Sequence, residues 1–128
     1  MGKCNPKILI VDDDPASIAL LKGILKRSCY EDVDAFLDSK KAQFSYREKN
    51  YDILITDLRM PGVSGFDILQ EMQKAHHHRP SIIVLTAESD PKAEEEAIRM
   101  GATKVFIKPY DVKELLQELD KQVAQLNF

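Results

Sequence analysis

The chain has 128 residues, 44% of them hydrophobic and 30% charged, with a formal net charge of -3. That length fits one domain whose core needs no disulfide or metal staple. The slightly acidic balance, without any Lys or Arg run, excludes the basic stripe of a nucleic-acid-binding surface, and no apolar stretch reaches the roughly 20 residues of a membrane span. Two cysteines, Cys4 and Cys29, do not make a disulfide framework and read as reduced thiols. The segment Met1 to Pro6 lacks the apolar centre of a signal peptide, and Pro6 stands where a myristoylation motif starting at Gly2 wants Ser or Thr. The expected location is the cytoplasm.

Strand and helix signals alternate along the chain. Strand one is expected at about Lys7 to Val11, an apolar run that ends on Asp12-Asp13-Asp14. Asp14-Pro15 supplies an N-cap and a proline at the first helical position. The helix that follows carries Ile18, Leu21, Ile24 and Leu25 at helical spacing. A weak second strand spans about Glu31 to Phe36, and Asp38 caps a second helix from Ser39 to about Glu48. Strand three, Tyr51 to Thr56, ends on Asp57, and the loop Arg59-Met60-Pro61-Gly62-Val63 follows.

Ser64 caps a third helix with Phe66, Ile68, Leu69 and Met72 on its apolar face, and the segment His76 to Pro80 breaks it. Strand four, Ser81 to Thr86, is apolar enough to be buried. Asp90-Pro91 repeats the cap-plus-proline signal for a fourth helix that ends near Met100-Gly101. Strand five is Val105 to Ile107. Asp111, with Glu114 three residues on, starts a fifth helix as a carboxylate variant of the capping box. Its apolar stripe is Val112, Leu115, Leu116, Leu119, Val123 and Leu126. Five strands alternating with five helices predict a doubly wound α/β sandwich, a parallel sheet covered by helices on both faces. One domain, 1–128 with a core of about 7–126, accounts for the chain.

The carboxyl ends of the strands carry the chemistry, because open parallel sheets place their ligand sites there. Strand one delivers acids, strand three delivers Asp57, strand four ends on Thr86 and strand five on Lys108-Pro109. Gathered carboxylates repel one another unless a hard cation joins them. Acids, a hydroxyl and an ammonium at one sheet edge suit a magnesium-assisted phosphoryl site. Asp14 reads as a helix cap only. His76, His77 and His78 read as a solvated helix end, since adjacent residues point in different directions and do not converge on one ion. Glu94, Glu95 and Glu96 read as a solvated helical face.

Asp12-Asp13, Asp57 with Met60-Pro61-Gly62, Thr86-Ala87 and Lys108-Pro109, in that order and each at a strand end, resemble the receiver domain of bacterial response regulators of the chemotaxis-regulator type. The resemblance covers about Lys7 to Leu126. It implies a flavodoxin-like sheet of order 2-1-3-4-5, and a phosphoryl group passed to Asp57 from a phosphohistidine on a histidine kinase or histidine phosphotransfer protein. It also implies Mg²⁺ bound directly by Asp13, Asp57 and the backbone carbonyl of Arg59, with Asp12 acting through water. Thr86 and Lys108 are implied to contact phosphoryl oxygens, and Lys108-Pro109 to be cis. The implied partner surface is the fourth helix, fifth strand and fifth helix, facing a downstream protein or an attached output domain.

The chain departs from the family at Val105, where many receivers carry Tyr or Phe three residues before the lysine. Phe106 does not substitute, because neighbouring strand residues point to opposite faces. Arg59 and Glu88, each two residues past a site residue, read either as a pair across the site mouth or as separately solvated. A phosphatase of the haloacid dehalogenase type needs a second Asp two residues after the nucleophile. Arg59 stands there, so the chain reads as a signalling module and not as an enzyme turning over an external substrate. A flavin module on this topology needs a Ser/Thr/Gly-rich phosphate loop after strand one, where this chain has acids. A stand-alone regulator and a receiver belonging to a longer regulator or hybrid kinase both fit.

Overall fold

The apolar runs read as interior strands are buried residue by residue: all of Ile8–Val11 and Ile53–Thr56 lie below the surface. The structure is a computed structural model that describes residues 5–74, 80–87 and 89–126. In chain order its elements are β1 (Ile8–Val11), α1 (Pro15–Arg27), β2 (Val33–Phe36), α2 (Ser39–Glu48), β3 (Ile53–Thr56), α3 (Gly65–Gln73), β4 (Ser81–Thr86), α4 (Pro91–Arg99), β5 (Lys104–Ile107) and α5 (Val112–Gln125). The strands form one parallel sheet of order β2-β1-β3-β4-β5. Its register pairs Val11 with Thr56, Thr56 with Val84, and Thr86 with Ile107. The carboxyl ends of β1, β3, β4 and β5 therefore come level along one edge.

Strand alternation splits the core into two layers. Leu9, Val11, Leu54, Val84 and Val105 face one side, packed against Ala42 of α2, Ile68, Leu69 and Met72 of α3, and Ala93 and Ala97 of α4. Ile8, Ile10, Ile53, Ile55, Leu85 and Phe106 face the other, against Leu21 and Leu25 of α1 and Leu115 and Leu119 of α5. Each fully buried Ile or Leu contributes about 1.5–3 kcal/mol of transfer free energy. No helix among the described residues is long and apolar enough to cross a membrane.

The helix starts follow the sequence signals. Asp14, Asp38, Ser64, Asp90 and Asp111 each cap the helix after them by accepting a backbone N–H. A reciprocal capping box forms at Ser64 and Asp67, whereas at α5 Asp111 accepts from Glu114 N–H at 3.1 Å. Gly101, at φ 110°, lets the chain turn out of α4. Strand starts differ from expectation: β1 begins at Ile8, one residue after Lys7, and β5 at Lys104, one before Val105. β2 begins at Val33 and β3 at Ile53, because Asp32 and Asp52 meet β1 from outside the ladder: Asp32 O accepts Ile8 N–H and Asp52 N–H donates to Lys7 O. On α5 the buried stripe is Leu115, Leu119 and Gln122, while Val112 is 40% exposed. Gln122 satisfies one half of its amide there, the N–H donating to Glu118 at 2.9 Å on the same helix, while its carbonyl oxygen is buried without a hydrogen-bond partner among the described residues.

Candidate functional site

Two strand ends bring the carboxylates together. Asp12 leaves β1 with its N–H donating to Phe36 O, and its Oδ1 accepts Asp14 N–H at 3.0 Å. Asp14 turns away to cap α1, as its neighbour Pro15 dictates. Asp57 leaves β3 with its N–H on Val11 O (3.1 Å), and its Oδ1 accepts Leu58 N–H at 2.7 Å. Asp12, Asp13 and Asp57 each offer an oxygen atom, all within 4.8 Å of one another. Asp12 and Asp57 are largely buried and Asp13 is exposed, so the cluster opens to solvent on one side.

Lys108 closes the other side. Its Nζ donates to Asp12 Oδ2 at 2.6 Å and to Asp57 Oδ2 at 3.2 Å. Burial by itself lowers the ammonium's pKa. The hydrogen bond to Asp12 and the charge of Asp57 outweigh it and hold the group above its ordinary value, so the lysine is cationic. The Lys108-Pro109 peptide is cis, as the resemblance implies. Thr86, 2% exposed at the end of β4, is tied to this corner through its backbone, since Lys108 N–H donates to its carbonyl at 2.7 Å.

Two residues of the site escape a reading by motif. Ser17 Oγ accepts from Lys108 Nζ at 3.4 Å and lines the same small cavity as Asp12, Asp57, Lys108 and Tyr110. Its position three residues past the Asp14 cap carries no local signal of the site. Gly65 opens α3 against the end of β3. A Cβ there would overlap the Asp57 carbonyl oxygen and the Leu58 Cα, and Gly65 N–H donates to Leu58 O at 2.8 Å. Only the absence of a side chain lets α3 start so close to Asp57.

Arg59, exposed in the loop after Asp57, stacks its guanidinium 6.0 Å from the centre of the Phe66 ring. Glu88, read either as its partner or as separately solvated, the run His76–His78 and Cys4 lie outside the described residues. The donor chemistry fits a hard divalent cation: three carboxylates, all oxygen, converging from two strand ends without a soft ligand among them.

Comparison with known proteins agrees with this geometry. The family model for the response regulator receiver domain matches residues 8–120. The chain is 31% identical to the chemotaxis protein CheY of Thermotoga maritima over 121 residues, covering 94% of this chain and 98% of that one. It is 33% identical over 112 residues to the phosphate regulon transcriptional regulatory protein PhoB of Rhizobium meliloti, covering 87% of this chain but 49% of that one, so it spans about half the length of that relative. Among solved structures, the Francisella response regulator 1452 receiver domain superposes with a TM-score of 0.86 at 26% identity, covering 94% of this chain and 98% of that one. The receiver domain of a Pseudomonas aeruginosa sensor histidine kinase, which has a magnesium ion coordinated in its active site cleft, superposes with a TM-score of 0.84 at 25% identity, covering 95% and 100%. A match that runs from β1 into α5, over a sheet edge carrying an acidic cluster where receivers accept phosphoryl groups, assigns the chain to its family: it belongs to the response regulator receiver domains of two-component signalling systems.

Proposed function

We propose that Asp57 is the phospho-acceptor, taking its phosphoryl group from a phosphohistidine on a histidine kinase or histidine phosphotransfer protein. The observation that carries this reading is the 3.2 Å contact between Asp57 Oδ2 and the Lys108 ammonium inside the acidic cluster. In the transfer an Asp57 carboxylate oxygen forms a bond to phosphorus as the P–N bond of the donor breaks, and the imidazole leaves on the donor. Lys108 places a fixed positive charge where negative charge gathers on the phosphoryl oxygens. Thr86 supplies a hydroxyl to a second phosphoryl oxygen.

Asp13, Asp57 and the Arg59 carbonyl would hold Mg²⁺ directly, and Asp12 would hold it through water. When bound, the ion supplies the charge neutralisation that a carboxylate nucleophile needs against an anionic phosphate. The added group, carrying about -1.5 to -2 charge, then alters the surface of α4, β5 and α5, which meets a downstream protein or an attached output domain. The cytoplasm is the compartment in which such a donor meets this domain.

The test is labelling with phosphoramidate and Mg²⁺, read by intact mass and peptide mapping. Addition of 1 phosphoryl group (about 80 Da) at Asp57, absent from Asp57→Asn, is the expected outcome. Equal labelling of parent and variant at another residue would falsify it.

A further inference from the structure

We infer that Ser17 is a positioning residue for Lys108, a role that rests on the proposed contact of Lys108 with the phosphoryl group. A lysine ammonium has three N–H donors, and here they meet three acceptors: Asp12 Oδ2, Asp57 Oδ2 and Ser17 Oγ. The proposed chemistry draws on the first two, since Asp57 takes the phosphoryl group and Asp12 turns to the ion. Ser17 alone of the three keeps a neutral lone pair for the lysine before and after transfer.

The fold aims that lone pair. Ser17 lies in the first turn of α1, where side chains lean back toward the helix start and so over the sheet edge. Its own hydrogen goes to Asp14 Oδ2 at 3.2 Å, and Asp14 is held in turn by the Ala16 N–H at 3.0 Å. With the hydrogen committed to Asp14, the oxygen faces Lys108 Nζ at 3.4 Å. A serine that merely stiffened the first turn through Asp14 would affect stability alone. One that orients the ammonium governs the rate of transfer.

The experiment follows phosphorylation of the full chain by phosphoramidate, with donor and Mg²⁺ each varied, and thermal unfolding in parallel. In Ser17→Ala the maximal transfer rate is expected to fall about five-fold, the worth of one lost hydrogen bond. The half-saturating Mg²⁺ concentration should not move, and Ser17→Thr, which keeps the hydroxyl, should recover most of the rate. A parent-like rate in Ser17→Ala, with or without a lower unfolding temperature, overturns the inference, as does a Ser17→Thr variant as slow as Ser17→Ala. Asp57→Asn separates the two levels. If it still accepts the label, the reading of the acceptor fails and this role with it. If it is inert while Ser17→Ala is unimpaired, only the role of Ser17 fails.

Discussion

Lys108 Nζ lies 2.6 Å from Asp12 Oδ2, a bond between residues 96 apart in sequence that ties the end of β5 to the end of β1. The same ammonium reaches Asp57 at 3.2 Å. One fixed cation thus screens the two more deeply buried members of an acidic cluster, and it does so with a side chain that is only 19% exposed.

Removing that cation should expose the repulsion it screens. Lys108→Met is expected to lose about 1–3 kcal/mol of stability in chelator, because the Oδ2 atoms of two buried carboxylates lose their cationic donor. Mg²⁺ should then stabilise the variant more than the parent, since binding to the native state alone raises stability by mass action. Thermal unfolding in chelator and in Mg²⁺ checks both statements. A variant as stable as the parent in chelator contradicts the screening role.

A second polar group lies among the helices and strands at β2. Tyr51 Oη donates to Asp34 Oδ2 at 2.6 Å and lies 2.6 Å from Ser45 Oγ, joining β2, α2 and the start of β3. The Tyr51 hydroxyl, followed by burial acting in the opposite sense and then Lys49, leaves the Asp34 carboxyl below its ordinary value. A depressed folded pKa means stability that is present above the unfolded value of about 3.9 and lost as pH falls through the folded one. Burial and Asp34 push Tyr51 up to about 12. That contribution is present below the unfolded value of about 10 and lost as pH rises through the folded one. Tyr51→Phe should therefore cost about 1–2 kcal/mol at neutral pH, with the difference from the parent shrinking below pH about 4. Denaturant unfolding across pH measures it, and a gap that stays constant into acid rules the linkage out.

The frame of the molecule was legible because it is written in local chemistry. Asp14-Pro15, Asp38, Ser64, Asp90-Pro91 and Asp111 mark helix starts by satisfying N–H groups within a few residues, and β1, β3 and β4 are apolar runs that only burial explains. Asp12, Asp13, Asp57 and Lys108 were legible because strand ends in a parallel sheet come level. Ser17, Gly65 and the Tyr51–Asp34 pair were not. Each depends on where a second element crosses, and no spacing within one segment encodes that distance. Gln122 shows the same limit from the other side: the stripe predicted apolar residues, but the path of α5 over the sheet put an amide inside and left Val112 partly outside.

Gly65 turns a missing atom into a prediction. Any Cβ at this position meets the backbone of Asp57 and Leu58, neither of which can swing aside as a flexible side chain would. Gly65→Ala is expected to cost about 2–4 kcal/mol, as overpacking against fixed neighbours does, and to slow phosphoryl acceptance through displacement of Asp57. Chemical denaturation and phosphoramidate labelling read the two effects. An alanine variant with parent stability means that α3 can draw back from β3.

Cys29 sits just past the end of α1 at φ 68°, in the left-handed region that glycine occupies without steric cost. It is exposed, so its side chain contributes little packing. Cys29→Gly is expected to raise stability by about 0.5–1 kcal/mol, the steric relief less the extra entropy of an unfolded glycine. Denaturant midpoints measure it, and a loss of stability would show that the thiol makes a packing contribution that outweighs the strain.

The pair Val105 and Phe106 bears on how the domain switches. Val105 packs with Val84 and Ala97 on the face covered by α2, α3 and α4, whereas Phe106 packs with Leu85, Leu115 and Leu119 on the face covered by α1 and α5. The ring is thus on the wrong side of the sheet to follow a movement of Thr86 toward a phosphoryl group on Asp57, and Val105 is β-branched with few side-chain conformations open to it. The Thr86 carbonyl is held by Lys108 N–H at 2.7 Å, which fixes the backbone at the end of β4 and places a response to a phosphoryl group in the chain beyond it. Beryllofluoride, a phosphoryl analogue, should therefore alter amide exchange most in the segment after Thr86 and in the first turn of α4 at Asp90-Pro91, with the side chain of Val105 unmoved. Exchange measurements and a structure with the analogue test this together. An inward shift of Val105 with the start of α4 unchanged would mean that β5 itself carries the signal.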